Sequence, residues 1–214
     1  MKIFGAPLSP FVRKVMIYCA ERDIPYDHVP IFPMGPDGQN PEFLAASPLG
    51  KIPAIEDDGF TLADSSAIIH YLEAKHGQAL LPEDAQARGQ AIFFDEIADT
   101  AIAAVTGPIF FNRVVAPKFM GREGDMAAAD VAEKETLPPI LAKLEKLMPD
   151  DSAYLVGGAL SVADISLASV FINFKHGGVT VDSDHYPKLS AWLLAIWDRP
   201  SFQRQMALEA RILG

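Results

Sequence analysis

The chain has 214 residues, of which 50% are hydrophobic, and a formal net charge of −10 at pH 7. This length and apolar content are enough for one large domain or two small ones. The negative charge argues against broad binding to a nucleic-acid backbone, which needs clustered Lys and Arg, whereas a local site could still hold a small anion. No run of ~18 uninterrupted apolar residues occurs, so no membrane-spanning helix is expected.

The cysteine content and the first residues bear on the cellular compartment. Cys19 is the single cysteine, which excludes an internal disulfide and is typical of a reducing compartment. The start, Met1 to Phe4, runs directly into a strand pattern without the architecture of a signal peptide. We therefore expect a cytoplasmic protein, with Cys19 packed inside on one face of a helix.

The first 77 residues alternate between strand and helix patterns. In chain order these patterns predict a strand at 3–4, a helix from 10 to about 22, a strand at 25–29, a surface loop at 30–41, strands at 52–55 and 60–62 around a short turn, and a helix from 64 to about 76. The order βαβ followed by ββα predicts a small α/β domain over residues 1–77.

Strand patterns nearly vanish after this point. Residues 80–84 are typical of a linker, and the remaining patterns predict helices at roughly 85–105, 125–147, 161–174 and 187–213, the last with a break at Pro200. Pro138 and Pro139 conflict with an unbroken second helix, which they would either kink or end. We therefore predict an all-helical second domain over residues 85–214.

Ser9 lies after the first strand pattern and directly before Pro10. A hydroxyl there, with proline at the first helical position, caps the helix. Unpaired backbone N–H groups and the positive end of the helix dipole also suit a bound anion or thiolate, so both roles stay open. Arg13, one helical turn later, could face the same ligand, but its pattern favours a solvated position.

Two further segments are candidates for ligand binding. Pro53 belongs at the start or edge of a strand, and a cis Ile52–Pro53 bond would turn the Ile52 N–H and C=O outward toward an extended ligand. Only about 5–6% of such bonds are cis, so the spacing alone favours trans. Asp64 and Ser65 open a helix, where an ordinary N-cap is favoured, although an acid beside a hydroxyl also suits an amino-acid head group.

These segments together resemble the cytosolic glutathione transferases. Ser9-Pro10-Phe11-Val12-Arg13-Lys14-Val15 is similar to the serine motif of the plant tau group and related bacterial members. The other matching segments are Ser47 to Ile55, which resembles the family's Asn-Pro-x-Gly-Lys-Val-Pro segment, the acid–serine pair Asp64-Ser65, and the capping box Ser161 to Asp164 behind Gly157-Gly158. They occur in family order and span nearly the whole chain.

The resemblance implies a thioredoxin-like domain that holds glutathione and an all-helical domain that lines a pocket for the electrophile. Ser9 would donate a hydrogen bond to the glutathione sulfur and favour its thiolate. Ile52, before a cis Pro53, would pair with the cysteinyl part. Asp64 and Ser65 would bind the γ-glutamyl end. Lys51 would bind the glycyl or a nearby carboxylate. Glutathione would be a co-substrate, and no metal or redox cofactor is required.

Several positions depart from the family pattern or are less specific. The loop at 38–40 lacks the His-Lys pair or lone Lys that several groups use for the glycyl carboxylate, so Gln39 and Asn40 are candidates to replace that contact. Phe11, Phe110 and Phe111 are candidates for the electrophile pocket. No tyrosine ends the first strand, no cysteine replaces Ser9, and the histidines lack metal-ligand spacing. The tyrosine, mixed-disulfide and metal mechanisms are therefore not expected.

The leading hypothesis is a homodimeric detoxifying glutathione transferase that joins the glutathione thiolate to small hydrophobic electrophiles. One alternative is a non-catalytic scaffold that binds glutathione or another ligand, because fold does not fix function. Another keeps glutathione but changes the reaction to peroxide reduction, isomerisation or dehalogenation. Asp164 is expected to be a structural cap in the second domain, without a chemical role.

Overall fold

A computed structural model describes all 214 residues of the chain. The chain divides into two compact units, Met1–Leu81 with Pro200–Ile212 and Gly214, and Pro82–Arg199 with Leu213. This division differs from the predicted domain boundaries, because most of the last helix belongs to the first unit although it lies at the far end of the sequence. None of the helices has both the length and the apolar composition needed to cross a membrane.

The first unit contains a four-stranded mixed sheet. Its elements are β1 (Lys2–Phe4), α1 (Pro10–Glu21), β2 (Asp27–Val29), a 3-10 turn (Pro36–Gln39), α2 (Pro41–Ala46), β3 (Ala54–Asp57), β4 (Phe60–Ala63) and α3 (Ser65–His76). The strand order is β2-β1-β3-β4, with β1 parallel to β2 and antiparallel to β3, and β3 antiparallel to β4. This is the predicted thioredoxin-like arrangement.

The sequence predicted no helix after the loop at 30–41, but the structure has one there. Helix α2 directly follows it, and the side-chain oxygen of Asn40 caps that helix by accepting from two backbone N–H groups. Phe43 and Ala46 of α2 are buried with Phe4 and Ala54 from two strands of the sheet. The six residues of α2 are too few for helical periodicity to appear in the sequence, so tertiary burial decides this helix.

The second unit is helical. Its α-helices are α4 (Ala85–Ile97), α5 (Ala103–Phe110), α6 (Ala116–Phe119), α7 (Met126–Val131), α8 (Leu137–Leu147), α9 (Val162–His176) and α10 (Pro187–Trp197), and α11 (Pro200–Leu213) ends the chain. Short π-helical turns, Ala98–Ile102 and Phe111–Val115, join α4, α5 and α6. The helix that the sequence predicted over 85–105 therefore continues, through these π-helical turns, to Phe119.

The proline pair lies in the first turn of α8, directly after a π-helical turn, Ala132–Thr136. Thr136 keeps helical dihedral angles of φ −86° and ψ −39°. A proline in a first helical turn removes no intrahelical donor that would otherwise be bonded. Pro138 and Pro139 therefore do not end the helical path, and a local π-helical turn accommodates them.

Helix α9 is buried on all sides from Val162 to Phe174. A capping box opens it, in which Asp164 accepts hydrogen bonds from the Ser161 N–H (3.0 Å) and hydroxyl (3.2 Å). The Leu155 N–H (2.9 Å) and the Trp192 indole N–H (3.1 Å) also donate to its carboxylate. Burial raises the pKa of Asp164 even though these bonds favour the ionised form. The expected capping geometry is confirmed.

Candidate active site

Ser9 caps α1 in the first unit. Its backbone is extended, with φ −71° and ψ 128°, and Pro10 follows at the first helical position. The Ser9 hydroxyl oxygen accepts from the Val12 N–H at 3.5 Å, which is a long hydrogen bond. The capping contact uses the hydroxyl only as an acceptor, so its hydrogen can be donated to another group. Capping and hydrogen-bond donation are therefore compatible.

The loop that carries Ser9 begins at Gly5, where only glycine fits. Gly5 has φ +152°, and an added Cβ would lie 2.4 Å from Cγ2 of Val12. The Gly5 N–H donates to the Val29 carbonyl (3.1 Å), and the ring Nε2 of His28 donates to the Gly5 carbonyl (2.8 Å). Because Gly5 has no side chain, the loop approaches α1 closely, and hydrogen bonds with β2 hold Gly5 in place.

The segment from Ser47 to Pro53 forms a turn that leads into β3, and hydrogen bonds of a side chain close this turn. The Ser47 hydroxyl donates to the Lys51 carbonyl (2.7 Å) and accepts from the Lys51 N–H (2.9 Å), and Gly50 has φ +62°. Serine thus performs the turn-forming role where the family often has asparagine. The Ile52–Pro53 peptide bond is cis, as the resemblance implied and contrary to what the spacing alone favoured.

Ile52 is half-buried, and its backbone is unpaired within this segment. Its N–H and C=O form none of the hydrogen bonds within the protein. A Cβ built on Gly5 would lie 3.3 Å from the Ile52 Cβ, so the start of the Ser9 loop is a neighbour of this residue. Lys51 is exposed beside it. The free backbone groups can pair with an extended peptide-like ligand.

Asp64 and Ser65 open α3. The Asp64 N–H donates to the Pro53 carbonyl (3.2 Å), which ties the start of α3 to the preceding turn segment. The Asp64 carboxylate is exposed and caps the helix by accepting from the Ala67 N–H (3.0 Å), whereas Ser65 is buried. Asp64 has φ +84°, an uncommon backbone region for a non-glycine residue. An exposed carboxylate at a helix N-terminus can receive an ammonium group while free N–H groups receive a carboxylate.

A buried lysine connects α1 to α3. Lys14 is fully buried, and its Nζ donates to the Ser66 hydroxyl at 3.1 Å. The first turn of α3 and the second turn of α1 are therefore fixed to each other. The Ser9 loop, the Ile52 segment and the Asp64-Ser65 pair lie close together within the first unit.

The remaining predicted site residues have less distinctive surroundings. Gln39 is exposed, and the side-chain oxygen of Asn40 is committed to capping α2, which leaves its NH2 group for a ligand. Phe11 is half-buried in the first unit. In the second unit, Phe110 is buried with its ring 6.2 Å from that of His176, and Phe111 is half-buried. The roles of these residues remain predictions.

The solvated position predicted for Arg13 is wrong. Arg13 is fully buried and forms two hydrogen bonds with the equally buried Glu209 of α11, from Nε at 2.6 Å and from Nη2 at 2.8 Å. Nothing in the sequence indicates this partner, because 196 residues separate the two side chains. Cys19 is buried as expected, and burial raises the pKa of its thiol to about 12.

Comparison with known proteins shows the family of the chain. Residues 3–80 match the family model of the glutathione S-transferase N-terminal domain, and residues 110–205 match that of the C-terminal domain. The chain is 30% identical over 207 residues to glutathione S-transferase 4 of Zea mays, which covers 94% of this chain and 89% of the relative. The chain therefore belongs to the glutathione S-transferase family and is an enzyme of that family.

Solved structures support the same conclusion. A glutathione S-transferase from Rhodospirillum rubrum F11 superposes with a TM-score of 0.84 at 26% identity, covering 95% of this chain and 90% of the other. A glutathione S-transferase I structure, bound with lactoylglutathione, gives a TM-score of 0.83 at 28% identity, with coverage of 97% and 98%. The similarity extends over both units of the chain.

Proposed function

We propose that this enzyme binds glutathione in its first unit, stabilises the thiolate with Ser9, and transfers it to small hydrophobic electrophiles. The observation that carries the proposal is the position of Ser9. Its hydroxyl lies at the N-cap of a twelve-residue helix, held there only by a 3.5 Å contact. A weakly held hydroxyl can turn toward a ligand without losing a strong bond.

The peptide part of glutathione would bind along the neighbouring segments. The unpaired N–H and C=O of Ile52, before the cis Pro53, suit the backbone of the cysteinyl residue. The Asp64 carboxylate suits the γ-glutamyl ammonium, and the start of α3 at Ser65 suits its carboxylate. Lys51, with Gln39 and Asn40 nearby in the chain, would receive the glycyl carboxylate. These contacts would place the sulfur at the start of α1.

Thiolate stabilisation would supply the chemistry. A hydrogen bond from the Ser9 O–H, together with the positive end of the α1 dipole, favours the charged sulfur and lowers the thiol pKa. The thiol releases its proton to solvent, and the thiolate attacks the electrophilic carbon of the second substrate. With an aromatic halide, the carbon–sulfur bond forms and the carbon–halogen bond breaks, so the halide ion leaves with that bond's electron pair. Orientation of the two substrates contributes the rest, so we propose that no metal or redox cofactor takes part.

Replacement of Ser9 by alanine tests the mechanism. Loss of a hydrogen bond to a thiolate costs about 1.5–3 kcal/mol, so Ser9→Ala should lower kcat/KM about 10- to 100-fold with an aromatic halide. The pH profile should shift upward while glutathione affinity and the circular dichroism spectrum stay close to those of the wild type. Ser9→Thr is the matched control because it keeps the hydroxyl. Unchanged turnover in Ser9→Ala would exclude Ser9 from the mechanism.

The alternative functions make different predictions for substrates. A glutathione-binding scaffold would bind glutathione in calorimetry but turn over none of a panel of electrophiles. A peroxidase would prefer hydroperoxides over the aromatic halide of the conjugation assay. An isomerase would prefer maleyl compounds, and a dehalogenase would prefer other halides. Phe11, Phe110 and Phe111 are the proposed contacts for the apolar electrophile. Substitution of the half-buried Phe11 or Phe111 by alanine should raise KM for that substrate and leave KM for glutathione unchanged.

Family membership supports a proposal for the assembly and the cellular role. We propose a homodimer that detoxifies electrophiles in the cytoplasm, where the single reduced Cys19 is compatible with the thiol pool. Light scattering coupled to size-exclusion chromatography tests the dimer, because the monomer has a mass of 23.2 kDa.

A further inference from the structure

A buried polar network joins α11 to the helix that Ser9 caps. Glu209 holds Arg13 of α1 through both carboxylate oxygens, at 2.6 and 2.8 Å, and both side chains are fully buried. Gln205, one turn earlier on α11, donates its Nε2–H to the same Glu209 carboxylate at 2.9 Å. The two helices therefore share a charged cluster inside the first unit.

The same cluster reaches the backbone of the Ser9 loop. Nη2 of Arg13 donates to the Leu8 carbonyl (3.3 Å), and Nε2 of Gln205 donates to the Pro7 carbonyl (3.4 Å). These are the two residues that immediately precede Ser9. Both contacts are long, and their donors are the two side chains that Glu209 holds, so the position of the loop is coupled to the position of Glu209.

Every carbonyl from Gly5 to Ser9 has a partner. The donors, in order, are the His28 ring, the Ser9 N–H, the Gln205 amide, the Arg13 guanidinium and the Arg13 N–H. Two of these five bonds come from the buried cluster. A loop whose carbonyls are all bound has few alternative conformations, because a change would leave acceptors unpaired, and the contacts at Pro7 and Leu8 are buried.

We propose that Arg13, Gln205 and Glu209 are positioning residues, which hold the Ser9 loop so that the hydroxyl meets the glutathione sulfur. This inference rests on the proposed function of Ser9. It assigns to the last helix of the chain a role in the reaction, since α11 supplies two of the three side chains. The cluster acts on the thiolate through Ser9 and does not touch the substrate.

The charged pair is a costly way to obtain stability alone. The stability that a buried ion pair provides is often matched or exceeded by apolar side chains of similar volume, so packing does not require this pair. What apolar side chains cannot supply is hydrogen-bond donors to the Pro7 and Leu8 carbonyls. The directional contacts therefore explain why arginine and glutamine fit these sites.

A double-mutant cycle between Gln205 and Ser9 tests the inference. Gln205→Met keeps the length of the side chain and removes the donor to both the Pro7 carbonyl and the Glu209 carboxylate. We expect kcat with saturating glutathione to fall about tenfold, because a small displacement of a positioned group lowers the reaction rate strongly. KM for glutathione should stay within about twofold, since the binding segments are untouched. The ultraviolet absorbance of the bound thiolate should titrate at higher pH.

The decisive result is the behaviour of the same substitution in the Ser9→Ala background. If the cluster acts through Ser9, Gln205→Met should have almost no further effect there. An equal loss in both backgrounds, or no loss in either, would overturn the positioning role even if Ser9→Ala itself impairs the enzyme. No effect of Ser9→Ala in the wild-type background would instead refute the proposed function.

The pair of charges is tested by an apolar replacement. Arg13→Met combined with Glu209→Met removes both ions at similar volume, and we expect a folded protein with the thiolate titration shifted upward. Phe202→Leu, a change at a fully buried side chain of α11 that takes no part in the hydrogen bonds of the cluster, is the control for lost helix packing. Wild-type kcat and titration in the double variant would show that the cluster is only structural.

Discussion

Glu73 at the end of α3 gives the clearest test of how the first unit is held together. Its side chain is 2% exposed, and five groups donate to its carboxylate. They are the Tyr18 hydroxyl (2.7 Å), the Arg22 guanidinium (3.0 Å) and the N–H groups of Ala79, Leu80 and Leu81 (2.9, 3.1 and 3.3 Å). Glu73 therefore connects α1, α3 and the segment that leaves the first unit.

Glu73→Gln should destabilise the protein by about 3 kcal/mol. The amide keeps one acceptor oxygen, but its NH2 group faces backbone N–H groups that lose their acceptor. One of these, at Leu81, is buried and one, at Ala79, is partly buried, and each unpaired buried donor costs about 1–3 kcal/mol. The Arg22 charge also loses its partner. The urea midpoint from far-ultraviolet circular dichroism measures the loss.

The loss of stability in Glu73→Gln should depend on pH. Burial raises the pKa of Glu73, but the hydrogen bonds from Tyr18 and the three N–H groups outweigh it, so this pKa lies below its usual value. A lowered pKa stabilises the folded state above the unfolded pKa of about 4.3, and this contribution is lost as pH falls through the folded value. The difference between wild type and Glu73→Gln should therefore be constant from neutral pH to about pH 5 and shrink below it.

Glu42→Gln is the matched control, because it makes the same chemical change at an exposed ion pair with Lys2 (2.7 Å). Its urea midpoint should equal that of the wild type, since exposed pairs contribute little. Equal midpoints for the Glu73 and Glu42 variants would refute the reasoning. A stability difference for Glu73→Gln that persists unchanged at pH 3 would show that ionisation is not its source.

Two further predictions concern single buried groups. Cys19 should react with a thiol-specific disulfide reagent at pH 8 only after urea unfolding, because burial raises its pKa to about 12; rapid labelling of the folded protein would contradict this. Asp164→Ala should lower stability by about 3–5 kcal/mol, since the Leu155, Ser161 and Trp192 N–H groups lose their acceptor. Tryptophan fluorescence during urea unfolding would detect this, and an unchanged midpoint would show that another group replaces the carboxylate.

Short-range patterns made much of the fold predictable. The helix that begins at Pro10, the turn between β3 and β4, and the capping box at Ser161 were confirmed because neighbouring residues supply their hydrogen bonds. Helix α2 was missed because six residues carry no periodic signal. The cis bond at Ile52–Pro53 followed from the family resemblance, whereas its rarity pointed to trans.

Arg13 shows the limit of the sequence most directly. Its position on α1 favoured solvent, and only the return of α11 to the first unit buries it against Glu209. No local pattern links two residues that are 196 positions apart, because such a pair exists only when the chain has folded. The same holds for Glu73, which collects donors from α1 and from the segment after α3.

The sequence by itself determined the order of the elements, the N-cap at Ser9 and the family to which the chain belongs. These depend on residue types at fixed short spacings, which the linear chain contains completely. Tertiary structure alone decided which side chains surround the Ser9 loop and which carbonyls they bind. The physical reason is that a buried charge or carbonyl must find its partner in space, and the partner can come from any part of the chain.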